Sequence, residues 1–527
     1  MQDATISSLH PLKTPASTKE RPTLLPFSSH LTLLVSFCLF TTMDSLLPFI
    51  PLLLFLSPVS SVHPGRLILD FITPKLIAGN ARPWNLTLLP DAPVIANPGW
   101  KDADHIAALP GQPPHSGARL YSGYITVDEK AGRHFFYFFA EAHNNSTAFP
   151  LILWLSGGPG CSSVGAGAFH GHGPLLVSQG GKSVVKSHYS WINFAHLLFV
   201  DSAVGTGFSY SDTPSDYQIY SDTSVAADNL RFVVNWLARF PDHANRDIYL
   251  GGDGYAGNLI PQLAQFILNR NNAMPRPVKI HLKGLLLGNP LLDAMEDRWG
   301  LFDTLWSHGM VSQRMHDAIK KECLLNARNQ GCMAAIEKGS RVVAPLYMFD
   351  LTAVVCIDKN LTDTWLSVDE HYECRERDVA AYLGSPEVQL ALHVNPAKAP
   401  KKWTQCNTEV AKAYGDITDS ALPILKNLLQ HNISVLVYSG DADAVVPAMS
   451  SRLSIKKMRL SKTIPWHAWY TSSIEAGGFS EGYKEGLSFA TVRGAGHFVA
   501  KTKGPQLQVL LKLHFNGSLG NLSIPGI

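Results

Sequence analysis

The chain has 527 residues, with 44 lysines and arginines against 42 aspartates and glutamates, a formal net charge of +2. That balance excludes nucleic-acid binding by bulk charge, which needs a basic excess gathered on one face. Hydrophobic residues at 46% and charged residues at 16% exclude general disorder, and 11 tryptophans supply material for a large core.

Residues 1–30 show no apolar period. Two apolar runs follow, Leu31–Phe40 and Leu46–Leu56, each too short for a comfortable membrane span of about 20 residues. Small residues at Val59 and Ser61 make a cleavage site before Val62. Residues 1–61 therefore read as a leader that includes a signal peptide, with Met43 an alternative start and an uncleaved anchor the weaker reading. After cleavage no stable membrane span is expected, and the route is secretory, to the cell exterior or a vacuole. Sequons at Asn85, Asn144, Asn145, Asn360, Asn432, Asn516 and Asn521 support that route.

Of the seven cysteines, Cys38 falls in the leader. The six that remain are Cys161, Cys323, Cys332, Cys356, Cys374 and Cys406. An even count in a secreted chain suggests three disulfides, with the pairing open on arithmetic alone. No CxxC pair is present, so zinc is given little weight.

Six short apolar runs read as strands: Leu151–Ser156, Leu197–Ser202, Ile248–Gly252, Leu285–Pro290, Val435–Gly440 and Phe489–His497. Ser224–Phe240 carries Val225, Leu230, Val233, Trp236, Leu237 and Phe240 at helical spacing. Buried strands alternating with helices argue for an α/β fold, a mostly parallel central sheet flanked by helices. Residues 62–527 then form one domain. The stretch from about 297 to 382 breaks the rhythm and holds four of the six cysteines, which suggests a disulfide-pinned insertion.

Ile248–Leu268 reads as a strand, a tight turn of small residues and a helix. In an α/β-hydrolase such a turn carries the nucleophile, with the acid and then the histidine later in the chain. Asp441 and Asp443 in SGDADAVVP and His497 in RGAGH follow in that order. His170-Gly171-His172 looks like a metal pair but lacks an evident third ligand, and the glycine-rich stretch around it lacks the Lys and Ser/Thr of a P-loop. No metal, cofactor or nucleotide is expected.

WLSGGPGCSS (154–163), SAVGTGFSYS (202–211), GGDGYAG (251–257), SGDADAVVP and RGAGH together resemble the serine carboxypeptidase family. LPGQPP (109–114) and YSGYITVDEKAGR (121–133) match its plant-type branch, and the similarity runs from about 107 to 515. The resemblance implies an α/β-hydrolase fold and release of C-terminal residues from peptides. It makes Asp443 the acid, His497 the base, and the N–H groups of Gly158 and Tyr255 the oxyanion hole. It also implies the pairs Cys161–Cys406, Cys323–Cys332 and Cys356–Cys374.

The departures lie at the chemistry. The family's elbow reads GESYAG, and here it is Gly252-Asp253-Gly254-Tyr255-Ala256-Gly257. Gly254 has no hydroxyl, so no acyl-enzyme can form there. For the substrate carboxylate, Trp154 and Gly157 remain. Ser156 stands for the family's Asn, Asp253 for its elbow Glu, and Gly171 for a second Glu. Expected is an impaired relative that keeps the scaffold, with a peptide or acyl substrate if any, no nucleic-acid partner, and a homodimer left open. The alternatives are an active serine carboxypeptidase, with an error at 254, and an acyltransferase of the same family; both need the serine.

Overall fold

The computed structural model describes residues 84–95, 100–115, 118–142, 148–275, 279–323, 329–343, 346–353 and 375–520. The leader, Met43, Cys356, Cys374, Asn144, Asn145, Asn360 and Asn521 lie outside them.

Ten strands of one mixed sheet, numbered in chain order, organise the molecule. They are β1 (Ala118–Asp128), β2 (Arg133–Ala142), β3 (Leu151–Ser156), β4 (His196–Val200), β5 (Ile248–Asp253), β6 (Leu282–Gly288), β7 (Ser434–Gly440), β8 (Lys462–Tyr470), β9 (Ala476–Tyr483) and β10 (Leu487–Val492). Their spatial order is β1-β2-β4-β3-β5-β6-β7-β10-β9-β8, and two-residue strands at His105–Ile106 and Tyr210–Ser211 extend the β1–β2 side. From β4 to β10 every pairing is parallel, and the flanking pairs are antiparallel.

The central runs are continuously apolar because both faces of the sheet are covered. In β2, Phe135, Tyr137 and Phe139 enter one core while Phe136, Phe138 and Ala140 enter the other. The same alternation sends Leu151, Leu153 and Leu155 one way, and Ile152 and Trp154 the other.

Helix α1 (Asp222–Arg239) starts at a capping box in which Ser221 and Ser224 each satisfy the other's backbone N–H. Helix α2 (Ala256–Ala273) follows β5 directly. The stretch 297–382 carries four helices among the described residues: α3 (Ala294–Ser307), α4 (Gln313–Cys323), α5 (Gln330–Val343) and α6 (Arg375–Leu383). Cys323 in α4 bonds Cys332 in α5, and Cys161 bonds Cys406. The run Phe489–His497 is a strand only to Val492, because the chain turns at Gly494 with φ +67° and carries His497 on the loop beyond.

Candidate active site

Parallel strands aim their carboxyl ends at one edge of the sheet, and ligands in such folds bind there. Register aligns Ser156 with Asp253, Asp253 with Gly288, and Gly288 with Tyr438 across β3, β5, β6 and β7. The loops that leave this line carry the candidate residues.

At the end of β5 the chain turns at Gly254, φ +57°, and enters α2. This left-handed conformation is open to glycine and costs other residues about 1–2 kcal/mol. A β-carbon placed at 254 would stand 2.9 Å from His497 Nε2 and meets nothing else within 3.4 Å except that ring's Cε1. The turn therefore presents its residue directly to the imidazole.

His497 Nδ1 lies 2.7 Å from Asp443 Oδ2, so the expected contact between acid and base is present. Asp443 is fully buried. Its Oδ1 accepts the N–H groups of Val445 and Val446 at 2.7 and 3.2 Å, and its Oδ2 accepts Asn289 Nδ2 at 2.8 Å. A carboxylate saturated in this way keeps Nδ1 of His497 protonated and leaves the lone pair on Nε2, toward Gly254. Burial pulls the His497 pKa down, but the charge and hydrogen bond of Asp443 and the charge of Asp253 outweigh it, leaving it above the ordinary histidine value. Asp441 takes a different role. It is exposed and accepts the Gly494 N–H at 2.6 Å, pinning the turn before His497.

Gly157 and Gly158 follow β3. A β-carbon on Gly157 would come within 2.3 Å of the Tyr255 nitrogen, so glycine alone lets this loop lie against the elbow. Gly158, Tyr255, Gly254 and His497 border one pocket of about 480 Å³, with the Cys161–Cys406 bridge in its wall. Tyr255 is anchored at its other end, where its hydroxyl donates to buried Asp222 at 2.7 Å.

The expected carboxylate-binding residues meet one another. Trp154 Nε1 donates to Ser156 Oγ at 3.2 Å, the Ser156 hydroxyl hydrogen-bonds Asp253, and the Gly157 N–H donates to Asp253 Oδ1 at 3.1 Å. Burial pushes the Asp253 pKa up to about 6 against these bonds and the nearby His497 charge. His172 packs beside this group, stacked on Trp191 at 3.8 Å and against Trp154 at 4.5 Å; burial holds it neutral, with its pKa down to about 3.

Two features went unread in the sequence. Asn289, at φ +41° just past β6, donates to Asp443 and accepts the Gly440 N–H at 3.1 Å. Its signal was its place after a buried strand in LLLGNP. The second is buried Glu141 with His196 and His243, whose ligand-type atoms all lie within 4.8 Å of one another. Their hydrogen bonds do not suit a metal. Arg246 donates to His243 Nδ1 at 3.1 Å and the Ala142 N–H to His196 Nδ1 at 3.3 Å, so each Nε2 carries the hydrogen a metal would displace. Glu141 meanwhile pairs with Arg119 at 3.0 Å.

Cys161–Cys406 and Cys323–Cys332 join as the resemblance implies. The sequon residues Asn85, Asn432 and Asn516 are exposed. Among the described residues no helix is long and apolar enough to cross a membrane.

Comparison with known proteins agrees with this geometry. The serine carboxypeptidase family model matches residues 110–517. Serine carboxypeptidase-like 40 of Arabidopsis thaliana is 40% identical over 425 residues, 79% of this chain and 83% of that one. Serine carboxypeptidase-like 28 of the same plant is 38% identical over 432 residues, covering 81% and 92%. Among solved structures, a prohormone-processing carboxypeptidase from Saccharomyces cerevisiae superimposes with a TM-score of 0.68 at 22% identity, covering 79% of this chain and 96% of that one. The chain belongs to the serine carboxypeptidase family and has the α/β-hydrolase fold.

Proposed function

We propose that this protein is a secretory serine carboxypeptidase-like glycoprotein that has lost the acyl-enzyme step while keeping the rest of the hydrolytic frame. One observation carries the reading: the residue that the elbow presents to His497 Nε2 is glycine. Asp443, His497 and the N–H groups of Gly158 and Tyr255 serve as acid, base and oxyanion donors. Asp253 does not replace the nucleophile, since its carboxyl leaves the chain one residue early and is engaged by Gly157 and Ser156. The apolar runs before Val62 and the exposed sequons support the secretory route.

The test is a fluorophosphonate probe, which labels activated serines. Purified protein should stay unlabelled between pH 5 and 8, and Gly254→Ser should label. Stoichiometric labelling of the unaltered chain would overturn the reading.

A further inference from the structure

Two spaces of unequal size border His497. The smaller, about 20 Å³, is bounded by Trp154, Gly171, His172, Asp253, Tyr438 and His497. It holds roughly one water. Two donors beside it are already used, Trp154 Nε1 by Ser156 and the Gly157 N–H by Asp253. A β-carbon at Gly171 would meet the Ala166 and Gly167 carbonyl oxygens at 2.8 and 2.9 Å, so the backbone itself closes this side. A substrate's terminal carboxylate finds no room in a space that holds one water.

The larger space, about 480 Å³, is of the size that takes a small organic ligand. Gly158, Gly254, Tyr255 and His497 form its inner end. Leu291, Phe349, Trp403, Val445, Val446 and Phe498 give it apolar walls, while Lys402 and Arg377 are exposed and belong to its solvent side. Where a family member places a hydroxyl, this chain has only the Gly254 hydrogen, so His497 Nε2 addresses whatever enters from this pocket. Water has access.

We propose that the site hydrolyses esters of apolar acyl groups directly, with His497 activating a water molecule in place of a side-chain hydroxyl. The proposal rests on the reading that no acyl-enzyme forms at Gly254. His497 Nε2 takes a proton from water as the water oxygen bonds to the acyl carbon. The carbonyl electron pair moves onto its oxygen, held by the N–H groups of Gly158 and Tyr255. Re-formation of the carbonyl expels the alcohol oxygen, which takes the proton from His497, and the carboxylic acid product releases its proton to solvent. Ester and water become carboxylate, alcohol and a proton, with nothing oxidised or reduced. Esters are favoured over peptides because an alkoxide leaves more readily than the amide anion of an unprotonated amine, and because the carboxylate-binding side is closed.

The experiment uses the mature glycoprotein with p-nitrophenyl hexanoate and acetate after pretreatment with a fluorophosphonate, which silences contaminating serine hydrolases. Turnover should survive the pretreatment, show no burst equal to the protein concentration, and favour hexanoate by on the order of 10-fold or more in kcat/KM. His497→Gln should lower the rate on the order of 10²-fold, the scale of general-base catalysis. Should that variant unfold, the pH profile of the unaltered protein decides, since the rate must fall as His497 protonates. A rate equal in the variant and the parent, or flat with pH, sinks the proposal and leaves the lost acyl-enzyme standing. A stoichiometric burst with covalent labelling sinks both. Release of free leucine from an N-blocked Phe-Leu dipeptide would overturn the closed carboxylate side.

Discussion

A β-carbon at position 254 would have to tolerate φ +57° and a His497 nitrogen at 2.9 Å. Gly254→Ser therefore restores a nucleophile only if the imidazole retreats by a few tenths of an ångström. The variant should lose about 1–2 kcal/mol of stability in denaturant unfolding, the usual cost of a side chain in this backbone region. It should gain probe labelling and esterase activity, but little peptidase activity, because Trp154 and Gly157 still spend their donors on Ser156 and Asp253. An unchanged stability would show that the elbow relaxes instead. Asp253 offers a second test. Its charge is one cause of the raised His497 pKa, and its own pKa stands at about 6. Above pH 6 the carboxylate is ionised and holds the imidazolium, so Asp253→Asn should shift the His497 titration, followed by NMR of the ring protons, to lower pH. The sign for stability follows. A histidine whose folded pKa lies above its unfolded value of about 6.5 contributes most below that value, and the contribution fades as pH rises through the folded pKa. Asp253→Asn should narrow that window from its upper side.

Strands and their ends set which parts of this site the sequence reveals. Runs such as Leu151–Ser156 and Val435–Gly440 announce themselves because burial on both faces makes them almost continuously apolar. The elbow, Asp443 and His497 are legible because the triad of an α/β-hydrolase keeps one order along the chain whatever lies between. Asn289 is not legible that way. Its value depends on β6 lying beside β7, a pairing between segments separated by more than 140 residues and several helices. The self-satisfied group of Trp154, Ser156, Gly157 and Asp253 is equally hidden, since the register of β3 against β5 brings it together. The antiparallel flanks went unread too: β2 is apolar on both faces, and β8 at the edge is largely exposed. Asn289 can be tested by a pair of substitutions. Asn289→Ala removes a donor from buried Asp443 and keeps a β-carbon at φ +41°, while Asn289→Gly removes the same donor and relieves the backbone. Both should lose about 1–3 kcal/mol in unfolding, with the alanine variant the less stable of the two. Equal and negligible losses would show that Val445 and Val446 suffice to hold Asp443.

Across the whole molecule, the covalent links complement a sheet whose partners are far apart in sequence. Cys161–Cys406 spans a separation of 245 residues and ties the loop after β3 to the pocket's opposite wall; Cys323–Cys332 spans 9. In the loop-closure account the first constrains the unfolded chain by about 5.5 kcal/mol and the second by roughly 2.5 kcal/mol. Their accessibility runs the opposite way. Cys406 is exposed, whereas Cys323 and Cys332 have no exposed surface at all. Thiolate attack needs access to sulfur, so the bridge that constrains the chain most is also the one a reductant reaches first. Titration of the denatured, unreduced protein should find no free thiol, with Cys356 and Cys374 as the third pair; two reactive thiols would break that assignment. Under a mild reductant at native pH, alkylation and peptide mass spectrometry should find Cys161 and Cys406 modified before Cys323 and Cys332. The melting temperature should drop by several degrees at that first step, well before the helical pair α4–α5 opens. Ester hydrolysis should fall with it, because the opened bridge frees the Gln405–Asn407 segment, whose backbone bonds to Ser162 and Gly160 hold the glycine loop against the elbow. Prior labelling of Cys323 and Cys332 would mean that the packed pair α4 and α5 opens more easily than the pocket wall, and would place the weakest part of the fold there instead of beside Gly254.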